Sequence, residues 1–159
     1  MSEVVDASLS QLTPGDVSAI VAYLRTVPAI GSHDLPAPVT QAASDLPKAM
    51  PASFDPRGKQ IFEGSCASCH SWSGVSLLTS DATLTGDRAV NDRSAINVAQ
   101  IVIAGGGRPG ALVHMPAFGA AYSDEDIASV ANYVTARFGR AAAHLTAAQV
   151  AELRRSSVH

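Results

Sequence analysis

Large rings are scarce in this sequence. Of 159 residues one is Trp, three are Tyr and four are Phe, although 47% are hydrophobic and many stretches are rich in alanine. A core so poor in bulky side chains is thin unless something else fills it. No run of about 18 apolar residues occurs, so no segment reads as a membrane span. Positive charge is not in excess either: the net charge is −3 and the pI near 5.9, which excludes the basic footprint of a nucleic-acid binder. The start, Met1-Ser2-Glu3-Val4-Val5-Asp6, has neither a basic region nor an apolar core, so it does not read as a secretion signal. No stretch alternates convincingly as a strand.

Cysteine is rarer still. The two cysteines fall together in Cys66-Ala67-Ser68-Cys69-His70, and C-x-x-C-H reads as a covalent attachment site for c-type haem. Two thiols one helical turn apart reach the vinyl groups of one porphyrin, and the histidine that follows aims an imidazole nitrogen at the iron. Other readings fit less well. Structural zinc wants four ligands, usually two C-x-x-C pairs or one pair with two spaced histidines, and His33, His114, His144 and His159 show no paired spacing. A thioredoxin-like motif follows a buried strand, and no such strand precedes Cys66. A plain disulfide leaves His70 unexplained. Covalent haem attachment of this type generally happens outside the cytoplasm. With no export signal in view, the chain is expected to be mature, truncated or a cut-out piece.

Helical periodicity organises the rest. A first helix is predicted from Thr13 to Val27. Thr13 and Asp16 form a capping box, Pro14 takes the first helical position, and Val17, Ile20, Val21 and Leu24 make an apolar stripe. Residues 28 to 53, with Pro28, Pro36, Pro38, Pro47 and Pro51, read as a linker or wrapping arm. A second helix runs from Asp55-Pro56 into the haem motif, with Gly58, Ile61 and Phe62 on one side. Ser94 to Ala104 is apolar almost all round and reads as a buried helix, stopped where Gly105 can take a left-handed cap. Another capping box at Ser123 and Asp126 opens a helix striped by Ile127, Val130, Ala131 and Val134. A last short helix follows Thr146 and Gln149. Asp16 to Leu24 also parallels Asp126 to Val134 position for position. Either two capped amphipathic helices look alike by chance, or the first is the tail of a preceding domain of the same kind.

Haem held by one histidine leaves its opposite face open. Of three methionines, Met1 is terminal and Met50 lies in the linker, so Met115, in Val113-His114-Met115-Pro116-Ala117-Phe118-Gly119, is the candidate sixth ligand. A thioether favours ferrous iron and raises the reduction potential, and Pro116 stiffens the loop that presents it. A core methionine is the bland alternative, and His114 is the rival ligand. Trp72 is placed to cover a porphyrin edge or simply to pack. Arg88, Arg93 and Arg108 are candidates for the propionates, since a guanidinium fork matches a carboxylate. Gly105 to Gly110 spells G-x-G-x-x-G, but no strand leads into it, so a phosphate loop is not read there.

At this point the chain resembles the cytochrome c family. From Asp55 to Gly139 the likeness runs through GKQIFEGSCASCH, LTGDRAVN, MPAFG and DIASVANYV. More narrowly it resembles the last haem domain of the three-haem cytochrome subunits of membrane-bound bacterial dehydrogenases for alcohols, aldehydes, sugar acids or N-heterocycles. The likeness extends into Leu145-Thr146-Ala147-Ala148-Gln149-Val150. The resemblance implies an all-α cytochrome c fold, with four to five helices around one covalent haem c and an N-terminal helix and linker. It divides the chain into residues 1–30, the tail of a preceding haem domain; 31–53, a Pro/Ala-rich linker; 54–140, the cytochrome c domain; and 141–159, a helical tail. Gly58 and Phe62 would pack on Tyr133, and Met1 would match the axial methionine of the missing domain. The family often has a proline two residues before the leucine matched by Leu84, its carbonyl accepting a bond from the axial histidine; here that residue is Ala82.

The expected activity is one-electron transfer by an iron held between His70 and Met115, with Cys66 and Cys69 as thioethers and no catalytic residue. Expected partners are a dehydrogenase catalytic subunit and a neighbouring haem domain or other redox protein, with electrons passing to a quinone, cytochrome or oxidase. The expected location is periplasmic, with membrane association only through the parent complex. A haem enzyme or gas sensor with a displaceable sixth ligand is the alternative, and a haem-free interaction module, zinc-bound or not, is a third. Because the ring-poor core needs its filler, replacing both Cys66 and Cys69 by Ala is expected to leave a largely unfolded chain by circular dichroism. A stably folded double variant contradicts this.

Overall fold

The computed structural model describes residues 8–28, 55–107 and 112–156. The linker, Met1, Met50 and Arg108 therefore lie outside the described residues. Among the described residues there are six α-helical segments: α1 (Pro14–Thr26), α2 (Pro56–Ile61), α3 (Ala67–His70), α4 (Ile96–Ala104), α5 (Asp124–Phe138) and α6 (Ala147–Ser156). A π-helical turn, Phe62–Cys66, joins α2 to α3. Among the described residues there is no strand, only an isolated antiparallel bridge between Gly106 and Met115. The all-α expectation holds.

Local chemistry starts the helices where the sequence places them. Thr13 and Asp16 exchange bonds of 3.2 and 3.0 Å. Ser123 and Asp126 do the same at 3.2 and 3.3 Å, and Thr146 and Gln149 at 3.3 and 2.9 Å. Each box satisfies two amides that an isolated helix end leaves open. Asp55 caps α2 by accepting from the Arg57 amide at 2.8 Å. Its other oxygen accepts from Ser129 Oγ at 2.5 Å, so the same carboxylate ties α2 to α5.

The core forms where α2 crosses α5. A Cβ on Gly58 would lie 2.7 Å from the Ser129 carbonyl carbon and 2.8 Å from Tyr133 Cβ, so only glycine allows this approach. Phe62 then enters between Tyr133 and Phe138, with ring centroids 5.4 and 5.2 Å away at 42° and 44°. Tilted pairs of this kind add about 0.5–1.5 kcal/mol each beyond burial. The expected Gly58–Phe62–Tyr133 contact is therefore present. Beyond α5 the chain folds back along it: Asn132 pairs with both backbone groups of Leu145 at 2.8 Å, and α6 buries Val150.

Three expectations need correcting. The helix expected from Ser94 begins at Ile96, after Ala95 takes a left-handed turn (φ 56°, ψ 8°), with Ser94 Oγ accepting from the Ile96 amide at 3.2 Å. Nor is it buried all round: Val98, Ala99 and Val102 are buried, but Ile101 is 42% exposed, because α4 packs against α5 and α6 on one side. Gly105 has the expected positive φ of 76° but an extended ψ of −179°. It therefore sends the chain straight on towards the bridge with Met115 instead of closing a left-handed cap.

The repeated pattern also divides sharply by burial. Val17 is 46% exposed where its counterpart Ile127 is 0%. Tyr23 is 67% exposed where Tyr133 is 5%. The same stripe is core in α5 and surface in α1.

Gly58→Ala is expected to destabilise the fold by about 3 kcal/mol, the upper end of ordinary overpacking, since the methyl meets backbone and not a flexible side-chain end. A denaturation midpoint equal to wild type would refute the close-approach account.

Candidate functional site

Cys66, Cys69 and His70 lie at the end of the α2–α3 rod, across its π-helical turn. The turn is anchored by Phe62 beneath it, so its exposed side is presented outward. Cys66 is half-buried beside the core and Cys69 is exposed. Burial, with a smaller contribution from neighbouring Cys69, pushes the Cys66 thiol up to about 11. It therefore stays protonated at neutral pH and is not preset as a metal thiolate.

His70 is half-buried at the last position of α3, and its Nδ1–H donates to the Ala82 carbonyl at 2.7 Å. The ring orientation is thereby fixed and Nε2 is left to coordinate. A proline here would lend the acceptor rigidity, and hydrogen bonds supply it instead. Ala82 closes a 3-10 turn, its amide donating to Thr79 O at 3.2 Å. The Thr83 hydroxyl accepts from the Ser76 amide at 3.2 Å. The amides of Leu84 and Thr85 both donate to Gly74 O, at 2.7 and 3.2 Å. Ser76 Oγ closes the loop onto the motif itself by donating to Cys69 O at 2.7 Å.

Immediately after His70 the chain is strained. Ser71 has φ 61° and ψ 158°, a region that glycine occupies and other residues avoid at a cost of about 1–3 kcal/mol. Its amide still donates to Ala67 O at 2.9 Å, so the turn ends α3 abruptly and sends residues 72 to 82 back past the imidazole.

Met115 arrives from the far end of the sequence, half-buried and packed against the core that Cys66 borders. His114 beside it is exposed. Met115 and Gly106 exchange backbone bonds of 2.7 and 3.1 Å. A Cβ on Gly105 would lie 2.7 Å from Met115 O, so glycine is needed for the α4 end to meet this loop. Trp72 is 58% exposed; Arg88 and Arg93 are also exposed.

Two residues that sequence reasoning passed over also belong here. Tyr122 OH and Ser65 Oγ lie 2.5 Å apart, linking the segment after Met115 to the residue before Cys66. Arg154 of α6 binds that same segment. Neither carries a sequence signal, since a tyrosine before a helix cap and an arginine in a last turn are ordinary.

The donor set fits thioether attachment better than a zinc site. Among the described residues no three of His, Cys, Asp and Glu gather to hold a metal ion, whereas four-ligand zinc requires more. Two thiols one turn apart and one oriented imidazole are what a c-type haem uses.

Comparison with known proteins agrees. Residues 55–134 match the family described as cytochrome C oxidase, cbb3-type, subunit III. The chain is 32% identical over 165 residues to the gluconate 2-dehydrogenase cytochrome c subunit of Pantoea cypripedii, covering 98% of this chain and 36% of that protein. It is 29% identical over 175 residues to the fructose dehydrogenase cytochrome subunit of Gluconobacter japonicus, covering 97% and 36%. Against cytochrome c6 of Bumilleriopsis filiformis it is 36% identical over 78 residues, covering 48% and 84%. The chain thus spans about a third of the length of the dehydrogenase subunits it matches.

Ser71→Gly is expected to raise the unfolding free energy by about 1 kcal/mol, the relieved strain less glycine's extra chain entropy. Equal or lower stability in chemical denaturation would mean that the Ser71 conformation carries no strain.

Proposed function

The chain belongs to the c-type cytochromes, a family of electron-transfer proteins with covalently attached haem c, and from that premise we propose that residues 54–140 carry one haem. In this reading Cys66 and Cys69 form its thioether links and His70 and Met115 its axial ligands. The module relays single electrons from a dehydrogenase partner towards a quinone, cytochrome or oxidase. The observation that carries the reading is the His70 Nδ1 bond to Ala82 O at 2.7 Å, which turns the imidazole of a C-x-x-C-H motif into an oriented ligand.

Bound haem supplies a ferric/ferrous couple, and the protein's part is to hold it, tune it and exclude competing ligands. Cys66 and Cys69 would hold the haem as thioethers, each thiol adding its S–H across a vinyl double bond, which needs no oxidant. His70, its ring held by the bond to the Ala82 carbonyl, would hold the iron through Nε2. Met115 would offer a soft neutral sulfur, which favours the reduced state. Were both residues to hold the iron, the protein itself would exclude oxygen and peroxide, as a carrier requires. The exposed side of the motif, at Cys69 and Trp72, is where a redox partner would approach.

We further assign residues 1–30 to the tail of a preceding haem domain, 31–53 to a linker and 141–159 to a helical tail on the 54–140 domain. The repeat of Asp126–Val134 at Asp16–Leu24, with its stripe exposed, supports the first assignment. So does the alignment of nearly the whole chain with about a third of the dehydrogenase cytochrome subunits. A periplasmic site, or the outer face of the bacterial inner membrane, follows from haem chemistry of this kind. Among the described residues no helix is long and apolar enough to cross a membrane. In this reading the module meets the membrane through its parent complex.

After expression with export and cytochrome maturation, intact mass is expected to show one added haem, and the reduced-minus-oxidised spectrum that of a c-type cytochrome. Met115→Leu is expected to lower the reduction potential by on the order of 100 mV, within the span that axial ligands command, and to let the ferrous protein bind carbon monoxide. A wild-type protein that already binds carbon monoxide readily at neutral pH would favour a sensor or enzyme instead.

A further inference from the structure

A loop holds a ligand only as firmly as its own backbone is held. On its inner side the Met115 loop is tied by main chain. Besides the exchange with Gly106, the amides of Phe118 and Gly119 donate to Val102 O and Ile103 O at 2.9 and 3.1 Å. These are last-turn carbonyls of α4 that have no partner within their helix.

On its outer side the same segment is gripped by one side chain from α6. Arg154 donates through Nη1 to Gly119 O, through Nη2 to Tyr122 O at 2.7 Å, and through Nε to Asp124 Oδ1 at 2.5 Å. All three guanidinium nitrogens are engaged. A planar fork can span two carbonyls and a carboxylate at once, and a lysine ammonium cannot. Tyr122, held here by its carbonyl, meets Ser65 through its hydroxyl at 2.5 Å. Contacts therefore run from Arg154 directly to the Met115 loop and, through Tyr122, to the turn that bears Cys66. The base of this brace is itself fixed, since α6 starts at a capping box and buries Val150 against the core.

We propose that Arg154 is a positioning residue: it holds the Met115 loop closed over the haem and so determines how easily outside ligands displace Met115 from the iron. The proposal rests on Met115 as sixth ligand. Displacing a weak neutral sulfur requires the loop to swing out. Bonds made in the closed arrangement and lost in the open one set that equilibrium. Charge-assisted bonds to carbonyls are stronger than neutral ones, so their loss shifts it measurably.

The test uses the full haem-loaded chain as wild type, Arg154→Ala, Arg154→Lys and Met115→Leu. In each, the sulfur-to-iron charge-transfer band of the ferric state, the affinity for added imidazole and the melting temperature are measured. The wild type is expected to show the band. Arg154→Ala is expected to bind imidazole at least tenfold more tightly and to lose the band at lower pH. Arg154→Lys, which keeps the charge opposite Asp124 but not the fork, is expected to gain at least threefold in imidazole affinity. Wild-type imidazole affinity in Arg154→Ala with only a lower melting temperature would reduce Arg154 to a structural tie and overturn the proposal. Should Arg154→Ala not accumulate with haem, unchanged imidazole affinity in Arg154→Lys overturns it equally. If the wild type lacks the band and binds imidazole as Met115→Leu does, the Met115 assignment itself fails and the proposal falls with it.

Discussion

The crossing of α2 over α5 is the contact on which the rest of this structure depends. Gly58 brings the α2 backbone against Ser129 and Tyr133, and that approach sets Phe62 between Tyr133 and Phe138. Since Phe62 begins the π-helical turn leading to Cys66, the position of the C-x-x-C-H motif follows from a missing Cβ. The ion pair nearby, Arg57 Nε to Asp126 at 2.8 Å, holds the aspartate below the usual carboxylate range. It sits in solvent and contributes little. The geometry comes from packing, not from charge.

From that fixed rod, the site is assembled by hydrogen bonds to backbone and hardly at all by side-chain pairs. His70 takes its orientation from the carbonyl of Ala82. The turn that presents that carbonyl is tied through Thr79, Thr83, Gly74 and Ser76, with Ser76 also reaching Cys69 O. Met115 is carried on main-chain bonds to the end of α4. Such bonds survive changes of side chain, since the acceptor at Ala82 is a backbone carbonyl that any residue offers. Beside His70 the backbone is strained at Ser71, where a positive φ ends α3 and brings the chain back past the imidazole.

The two copies of the Asp-Val/Ile…Tyr-Leu/Val pattern make a controlled comparison within one molecule. Both helices are started by the same capping chemistry, so helix formation is local in both. Burial is not. Only α5 finds a glycine-bearing helix to cross, and only there do the stripe and its tyrosine become core. Amphipathic periodicity therefore reports that a face is meant to be covered, without reporting by what.

Helix positions, their caps, the Gly58–Phe62–Tyr133 contact and the Cys66-Ala67-Ser68-Cys69-His70 motif are all readable along the chain. Each depends on residues within one or two turns of one another, or on a motif whose spacing is itself the chemistry. The exposed side of α4 at Ile101, the left-handed entry at Ala95 and the extended exit from Gly105 are not readable, because each is imposed by what the segment packs against or runs towards. The same holds for the link between Tyr122 and Ser65 and for the grip of Arg154 on the Gly119 and Tyr122 carbonyls. Those partners are ordinary residues far apart in sequence, and the grip falls mostly on backbone oxygens, which every residue possesses. Composition and spacing thus specify which ligands this chain can offer, whereas three-dimensional packing specifies how firmly they are held, since firmness comes from contacts between distant segments that carry no local signature.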